Sequence, residues 1–182
     1  MLSVTLFLIT EGDVDSGPIF IQKKIIVSDD YYSVDVFEKI IGLTVEAYLE
    51  FFDHYTMNRL KSVQQDGSKA SYTCARHPED GHLNFHKSSE EVYNKVRALA
   101  DPYPGSFFYF NNNKIIVNKA ELGKKNKFNF VGLVPGRIIS IDHGGVEVLC
   151  NKGTLYITSI SMGQNENINP NSLIKSIRST LR

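Results

Sequence analysis

The stretch VTLFLITEGDVDSGPI, residues 4–19, decides the fold at the start of the chain. The runs Val4–Ile9 and Ile19–Val27 are rich in β-branched and aromatic side chains, so both predict β-strands. The residues between them include two glycines and a proline, which favour a tight loop because glycine permits positive φ and proline has no N–H donor. The pattern therefore predicts an acidic loop between two strands, with Asp15 held at the edge of the second strand.

Two later stretches strengthen the meaning of this loop. The motif DSGPI at 15–19 is followed by RHPEDG at 76–81 and by RALADPYPGSF at 97–107. Strand, loop and DSGPI resemble the segment around the catalytic aspartate of the 10-formyltetrahydrofolate-dependent formyltransferases. This family includes methionyl-tRNA formyltransferase and the sugar-nucleotide N-formyltransferases, and it has the three stretches in the same order. The resemblance extends to about Ile160.

The resemblance covers the carboxyl-terminal part of such an enzyme. In the family, a Rossmann-like domain with an asparagine, a histidine and a folate loop precedes the aspartate segment. All five histidines of this chain follow Asp15, whereas the catalytic histidine of the family precedes the aspartate. We therefore expect the chain to be truncated and inactive alone, with a separate amino-terminal half as a candidate partner.

The resemblance assigns a role to Asp15 and to the loop before it. Formyl transfer to an amine needs a base and donors for the oxyanion of the tetrahedral intermediate. By resemblance the asparagine is the donor, the histidine is the base, and Asp15 orients that histidine and raises its pKa. The resemblance also predicts that the loop lines the pterin of 10-formyltetrahydrofolate in a recess beside Asp15. The predicted cofactor-binding residues are Glu11, Gly12, Asp13, Val14 and Asp15. The chemistry of these residues alone favours a surface β-hairpin with an acidic turn, and the resemblance reverses that preference.

A long amphipathic helix is predicted from Ser33 to about His54. Its apolar side chains recur at helical spacing and define one face. They are Val34, Phe37, Ile40, Ile41, Val45, Tyr48, Leu49 and Phe52. In the family the corresponding helix packs on the Rossmann-like sheet. Without that sheet, an apolar face of this size predicts homo-oligomerisation or instability.

The second half of the chain predicts a small β-structure after one helix. Ser88 and Glu91 form a capping-box pattern that starts the helix, and a proline-containing turn ends it. Five short strands separated by turn residues follow, which suit a small antiparallel barrel. In the family this module is an OB-like barrel. Asn169 and a following proline predict a terminal helix.

The predicted fold class is therefore α+β. It combines a remnant of a Rossmann-like formyltransferase domain, two strands and a helix, with an OB-like antiparallel β-barrel. The predicted division places the end of the catalytic domain at 1–70, a linker at 71–87 and the carboxyl-terminal domain with its terminal helix at 88–182.

Composition limits the partners and the compartment. Twenty Lys and Arg balance twenty Asp and Glu, so the net charge is zero and gives no global electrostatic footprint for nucleic acid. Two distant cysteines and histidines without ligand spacing predict reduced, buried thiols and no metal. We expect no signal peptide and no membrane-spanning segment, and thus a cytoplasmic protein.

The acceptor of the formyl group is left with alternatives. Neutral charge and a compact barrel favour an amino-sugar nucleotide over initiator methionyl-tRNA. A non-catalytic binding remnant is a second class of function. A barrel that binds single-stranded nucleic acid is disfavoured, because Phe107–Phe110 is a continuous aromatic run and not an interleaved pattern of aromatic and basic residues.

Overall fold

The computed structural model describes residues 2–11, 14–123 and 130–182. The chain forms two compact units, residues 1–75 and residues 76–182. They are called here the amino-terminal unit and the carboxyl-terminal unit. The finer division predicted from the sequence stays a prediction.

The amino-terminal unit begins with an antiparallel pair of strands. β1 spans Leu2–Phe7 and β2 spans Ile19–Ile25, with Leu2 opposite Ile25 and a register shift next to Phe7. Both elements were predicted to within two residues at each end. The pair carries the loop that contains Asp15 at its closed end.

One helix, α1, packs on this pair and spans Ser33–Thr56. It starts where the Asp35 carboxylate accepts a hydrogen bond of 2.8 Å from the Tyr32 N–H. Ala47 is fully buried in the helix, and the rings of Phe51 and Phe20 meet edge to face at 5.6 Å. The α1 face that packs on the strands is therefore the face around Ala47 and Phe51.

Most side chains of the apolar face predicted for α1 do not pack on the strands. They form a second face of the helix, which remains exposed to solvent. Between 41% and 64% of each of its large side chains is accessible. They are Val34, Phe37, Ile41, Val45, Tyr48, Leu49, Phe52 and Tyr55. Two strands are too narrow to cover both apolar faces of a 24-residue helix. The oligomerisation predicted from this face stays a prediction, and two antiparallel strands with one helix do not confirm a Rossmann-like remnant.

The described residues of the carboxyl-terminal unit form a short helix and six strands. α2 spans Ser89–Ala98 and has the predicted capping box at its start. The Ser88 Oγ accepts from the Glu91 N–H at 3.2 Å, and the Glu91 carboxylate accepts from the Ser88 N–H at 3.0 Å. Five strands pair antiparallel in the order β3-β4-β7-β6-β5, and β8 pairs with β7. The strands are β3 Ser106–Phe110, β4 Asn113–Leu122, β5 Ile138–Ile141, β6 Val146–Leu149, β7 Thr154–Met162 and β8 Asn165–Ile168.

The core of this unit lies between α2 and the sheet. Val92 and Val96 of α2 are buried, and α2 contacts β4 and β7. Fully buried strand residues include Phe108, Ile115 and Ile160. Five of these strands were predicted from the sequence, and β8 is not among them.

The predicted OB-like barrel is not confirmed, because the strands form an open path from β3 to β5. The chain end, residues 179–182, lies between these two edge strands. The Ile138 N–H donates to the Ser179 carbonyl at 3.0 Å, and the Leu181 N–H donates to the Gly136 carbonyl at 2.8 Å. On the other side, the Arg182 N–H donates to the Tyr109 carbonyl at 3.1 Å.

The predicted terminal helix is wrong. After a single 3-10 turn at Pro170–Ser172, the chain continues without a helix to its end. Ile174 and Leu181 are buried, but Ile177 is 58% exposed. Backbone pairing of residues 179–182 with two strand edges replaces the hydrogen bonds that a helix would have made.

Three further expectations can be compared with the structure. Cys150 is buried, as predicted, but Cys74 is exposed. Burial raises the pKa of the Cys150 thiol to about 12, which keeps it protonated and unreactive. None of the helices in the described ranges is both long and apolar enough to cross a membrane.

Candidate functional site

The turn that carries Asp15 is tightly built. Asp15 has a φ of 56°, a left-handed conformation that Asp tolerates better than most residues. The Leu8 N–H donates to the Pro18 carbonyl at 3.0 Å and closes the loop. A Cβ atom added at Gly17 would lie 1.7 Å from the Leu8 carbonyl oxygen, so only glycine fits there.

Gln65 holds this turn from fifty residues away in the sequence. Its side-chain amide donates to the carbonyls of Asp15 and Gly17, both at 2.7 Å. Ile19 and Val63 pair through two backbone hydrogen bonds of 2.8 and 2.9 Å, which bring Gln65 to the turn. Sequence reasoning missed this residue, because the polar run around it predicted only a loop.

The described residues of the predicted site are exposed to solvent. Glu11, Val14 and Asp15 are exposed, and Gly12 and Asp13 lie outside the described residues. Within the described ranges, no histidine is hydrogen-bonded to the Asp15 carboxylate. The assignment of these residues to catalysis and cofactor binding stays a prediction.

The turn gives a first testable prediction. Gln65→Glu replaces the amide donor by a carboxylate that faces two carbonyl oxygens. Loss of two hydrogen bonds of about 1 kcal/mol each should speed hydrogen exchange of the Ile19 and Val63 amides about tenfold or more. Gln64→Glu, an equal charge change on an exposed neighbour, is the control and should leave exchange unchanged. Equal exchange in both variants would contradict the role of Gln65.

The carboxyl-terminal unit contains a large open groove, which we call the α2 groove. Its volume is about 1230 Å³. One wall is the face of α2 with Glu91, Val92, Lys95, Ala98 and Leu99, and the other walls come from residues of 76–84, from Lys87 and from 103–105. Arg76, Pro78 and Asp80 fall in the linker predicted at 71–87, and within it Pro78–Gly81 forms a 3-10 turn that shapes this groove.

Two glycines let the walls of the α2 groove meet. A Cβ at Gly81 would lie 2.8 Å from the Gly105 carbonyl oxygen. Gly105 itself has a φ of 85°, and a Cβ there would lie 2.6 Å from the Ile116 side chain. The close approach of these turns, which the sequence cannot show, creates the groove.

The charged side chains of the α2 groove differ in their hydrogen-bond and ion-pair partners. The Asp80 carboxylate accepts from the His77 N–H at 3.0 Å, and Glu91 caps α2 and pairs with Lys87 at 3.4 Å. Lys95 donates from Nζ to the His82 carbonyl at 2.8 Å. Burial lowers the pKa of Lys95, Asp80 opposes that effect, and the nearby Arg76 adds to it. Asp80 thus offsets part of the charge of Lys95, whereas Arg76 forms no ion pair with any described residue.

No metal centre is present in the part of the chain that the structure describes, where no group of three or more His, Cys, Asp or Glu side chains could hold an ion. His77, His82 and His86 instead lie in the turns before α2. The His82 ring packs against Phe107 and Tyr109 at 5.4 and 5.7 Å.

The chain is similar to known proteins in sequence and in fold. The family described as formyl transferase, C-terminal domain, matches residues 76–178. A methionyl-tRNA formyltransferase from Natranaerobius thermophilus is 29% identical over 148 residues, which are 81% of this chain and 47% of that protein. The chain thus spans about half the length of this relative.

Solved structures share the fold. HypX from Aquifex aeolicus, solved in complex with tetrahydrofolic acid, has a TM-score of 0.69 at 16% identity, over 96% of this chain and 30% of HypX. An N-formyltransferase from Helicobacter canadensis, solved with folinic acid and dTDP-3-aminofucose, has a TM-score of 0.63 at 20% identity, over 86% of this chain and 55% of that chain. The resemblance drawn from the three sequence stretches is confirmed. The chain belongs to the formyl transferase family, and residues 76–178 match its carboxyl-terminal domain.

Proposed function

We propose that the chain takes part in the transfer of a formyl group from 10-formyltetrahydrofolate to a primary amine. The observation that carries this proposal is an aspartate on a turn whose Asp15 and Gly17 carbonyls accept hydrogen bonds from Gln65, in a chain of the formyl transferase family. In the reaction, the amine nitrogen bonds to the formyl carbon and the bond from that carbon to N10 breaks. The amine loses a proton to a base, and N10 gains one.

Asp15 is the positioning residue in this proposal. Its carboxylate would hydrogen-bond a histidine supplied by polypeptide outside these 182 residues, together with the asparagine that stabilises the oxyanion. A carboxylate next to an imidazole favours the protonated ring and fixes its orientation. The exposed position of Asp15 leaves it accessible to such a partner, and the chain alone is expected to be inactive.

The loop before Asp15 suits the pterin ring of the folate. Within the described residues, the backbone groups of Thr10, Glu11 and Val14 form no hydrogen bond, so their donors and acceptors are available. A pterin presents amide-like donors and acceptors that such backbone can pair with. The proposed cofactor site includes Gly12 and Asp13, which complete this loop.

For the acceptor, we propose an amino-sugar nucleotide. The zero net charge of the chain supports a small acceptor, since binding of a large polyanion usually depends on excess basic charge. The alternative is the methionyl group of an initiator tRNA. It is favoured by the 29% identity to a methionyl-tRNA formyltransferase.

The finer fold assignments belong to the same proposal. The amino-terminal unit is proposed as the end of a Rossmann-like domain, whose remaining strands would cover the exposed α1 face. The carboxyl-terminal unit is proposed as an OB-like module in which residues 179–182 bridge β5 and β3. The proposal also includes a cytoplasmic location and a linker at 71–87.

The test is a titration of isotope-labelled chain with folinic acid, followed by amide shifts in NMR. We expect shifts at Thr10, Glu11 and Val14, and a weaker affinity for Gln65→Glu than for Gln64→Glu. Asp15→Asn should keep folate binding, because the loop is proposed to pair with the pterin through its backbone, which this substitution leaves in place, and the carboxylate is proposed to act on a histidine. Absence of any shift up to the solubility limit of folinic acid would contradict the proposed cofactor site and favour a non-catalytic remnant.

A further inference from the structure

The α2 groove is not used by the chemistry proposed for Asp15. It belongs to the carboxyl-terminal unit, and its volume of about 1230 Å³ exceeds that of most small-ligand sites, about 300–1000 Å³. The turns around Gly81 and Gly105 pack at distances that leave no room for a side chain. Tightly packed turns therefore form the walls of the groove.

The charge of the α2 groove favours an anion. Arg76 forms no ion pair within the described residues, and Lys95 has one hydrogen bond although its ammonium group carries three donors. The carboxylates of Asp80 and Glu91 already accept hydrogen bonds from backbone N–H groups. A half-buried ammonium beside a guanidinium gains most from an anionic group that contacts both.

The uncharged lining favours a flat ring next to that anion. Leu99 and Pro104 provide apolar surface, and the Tyr103 side chain is 57% exposed beside them. No ring packs against Tyr103 within the described residues. An exposed tyrosine next to apolar side chains offers one face for stacking and one hydroxyl for a hydrogen bond. An anion that carries an aromatic ring matches both parts of the groove.

We propose that the α2 groove binds the nucleoside diphosphate part of the acceptor, with the phosphates at Arg76 and Lys95 and the base against Tyr103. As a statement about the acceptor, this rests on the proposed function. It gives the carboxyl-terminal unit the task of holding the acceptor, while the Asp15 turn belongs to the transfer chemistry. It also separates the acceptor site from the folate site on the chain.

The test is calorimetric titration of the whole chain with dTDP. Arg76→Ala and Lys95→Met should each weaken binding about tenfold or more, since a hydrogen bond to a charged group contributes about 1.5–3 kcal/mol. Lys175→Met and Arg178→Ala are matched controls on exposed residues of the same unit and should bind dTDP like the unchanged chain. Thermal unfolding of every variant checks that the unit is intact.

A second pair of measurements tests the ring. Tyr103→Leu should weaken dTDP binding and leave the weaker binding of inorganic phosphate unchanged. Equal affinity for dTDP in the groove variants and the controls would overturn the proposal. So would phosphate binding as tight as dTDP, or a short oligoribonucleotide that binds more tightly than dTDP. The proposed function places folinic acid at the amino-terminal unit. The folate titration and the dTDP titration can therefore fail independently of each other.

Discussion

Gly136→Ala is expected to lower the free energy of unfolding of the carboxyl-terminal unit by about 3–5 kcal/mol, a loss typical of a disrupted core. Gly136 has a φ of 85°, and a Cβ atom there would lie 2.3 Å from the Leu181 carbonyl oxygen. The obstacle is backbone and cannot rotate away. The chain end would have to leave, which breaks its hydrogen bond to Gly136 and exposes the buried Leu181 side chain.

The control variant, Gly132→Ala, separates the energetic cost of a positive φ from the cost of the steric clash. Gly132 has a similar φ of 72°, but nothing lies within 4 Å of its Cβ position. Gly132→Ala should therefore lower stability by only about 1 kcal/mol, the strain of a left-handed alanine. Urea unfolding followed by fluorescence or circular dichroism measures both variants. Equal losses would show that residues 179–182 contribute little to the stability of this unit.

The same chain end shows why part of the fold could not be predicted. The spacing of Leu173, Ile174, Ile177 and Leu181 suits a helix, and helical periodicity is a local signal. The segment instead pairs with β3 and β5, whose edges lie more than forty residues earlier in the sequence. Long-range pairing of this kind overrides local propensity and leaves no mark in the segment itself.

Local signals predicted most of the other elements, although not β8. The capping box at Ser88 and Glu91 fixed the start of α2, because side-chain chemistry at a helix end acts within four residues. Asn111 and Asn112 both have positive φ at the turn between β3 and β4, as residues tolerant of that conformation should. In α1 the period was correct, but it could not show which of two apolar faces the strands would cover.

In the candidate sites too, local features could be predicted from the sequence and contacts between distant residues could not. The tight loop around Asp15 follows from its glycines, but its clamp by Gln65 depends on the pairing of Ile19 with Val63. The α2 groove depends on the approach of Gly81 to Gly105. Each residue could be noted in the sequence as polar or as glycine, but only the fold shows which distant partner it meets.

Gly17→Ala is expected to disrupt the Asp15 turn and to lower the protection of β1 and β2 against hydrogen exchange about a hundredfold or more. The added methyl group would lie 1.7 Å from the Leu8 carbonyl oxygen and 2.8 Å from its carbon. Relief requires that Leu8 and Gly17 separate, which breaks the hydrogen bond from the Leu8 N–H to the Pro18 carbonyl. Folinic acid binding should be lost with the loop.

Gly42→Ala provides a matched control of opposite sign in the same unit. Gly42 lies in the middle of α1, and nothing lies within 4 Å of its Cβ position. Alanine there should raise stability by about 0.5–1 kcal/mol, because glycine loses more backbone entropy in a helix. Protection of β2 and of Leu8, measured by hydrogen exchange and NMR, should therefore fall in Gly17→Ala and hold or rise in Gly42→Ala. Retained protection and folate binding in Gly17→Ala would show that the loop tolerates a wider opening, and that a close approach to Leu8 is not what positions Asp15.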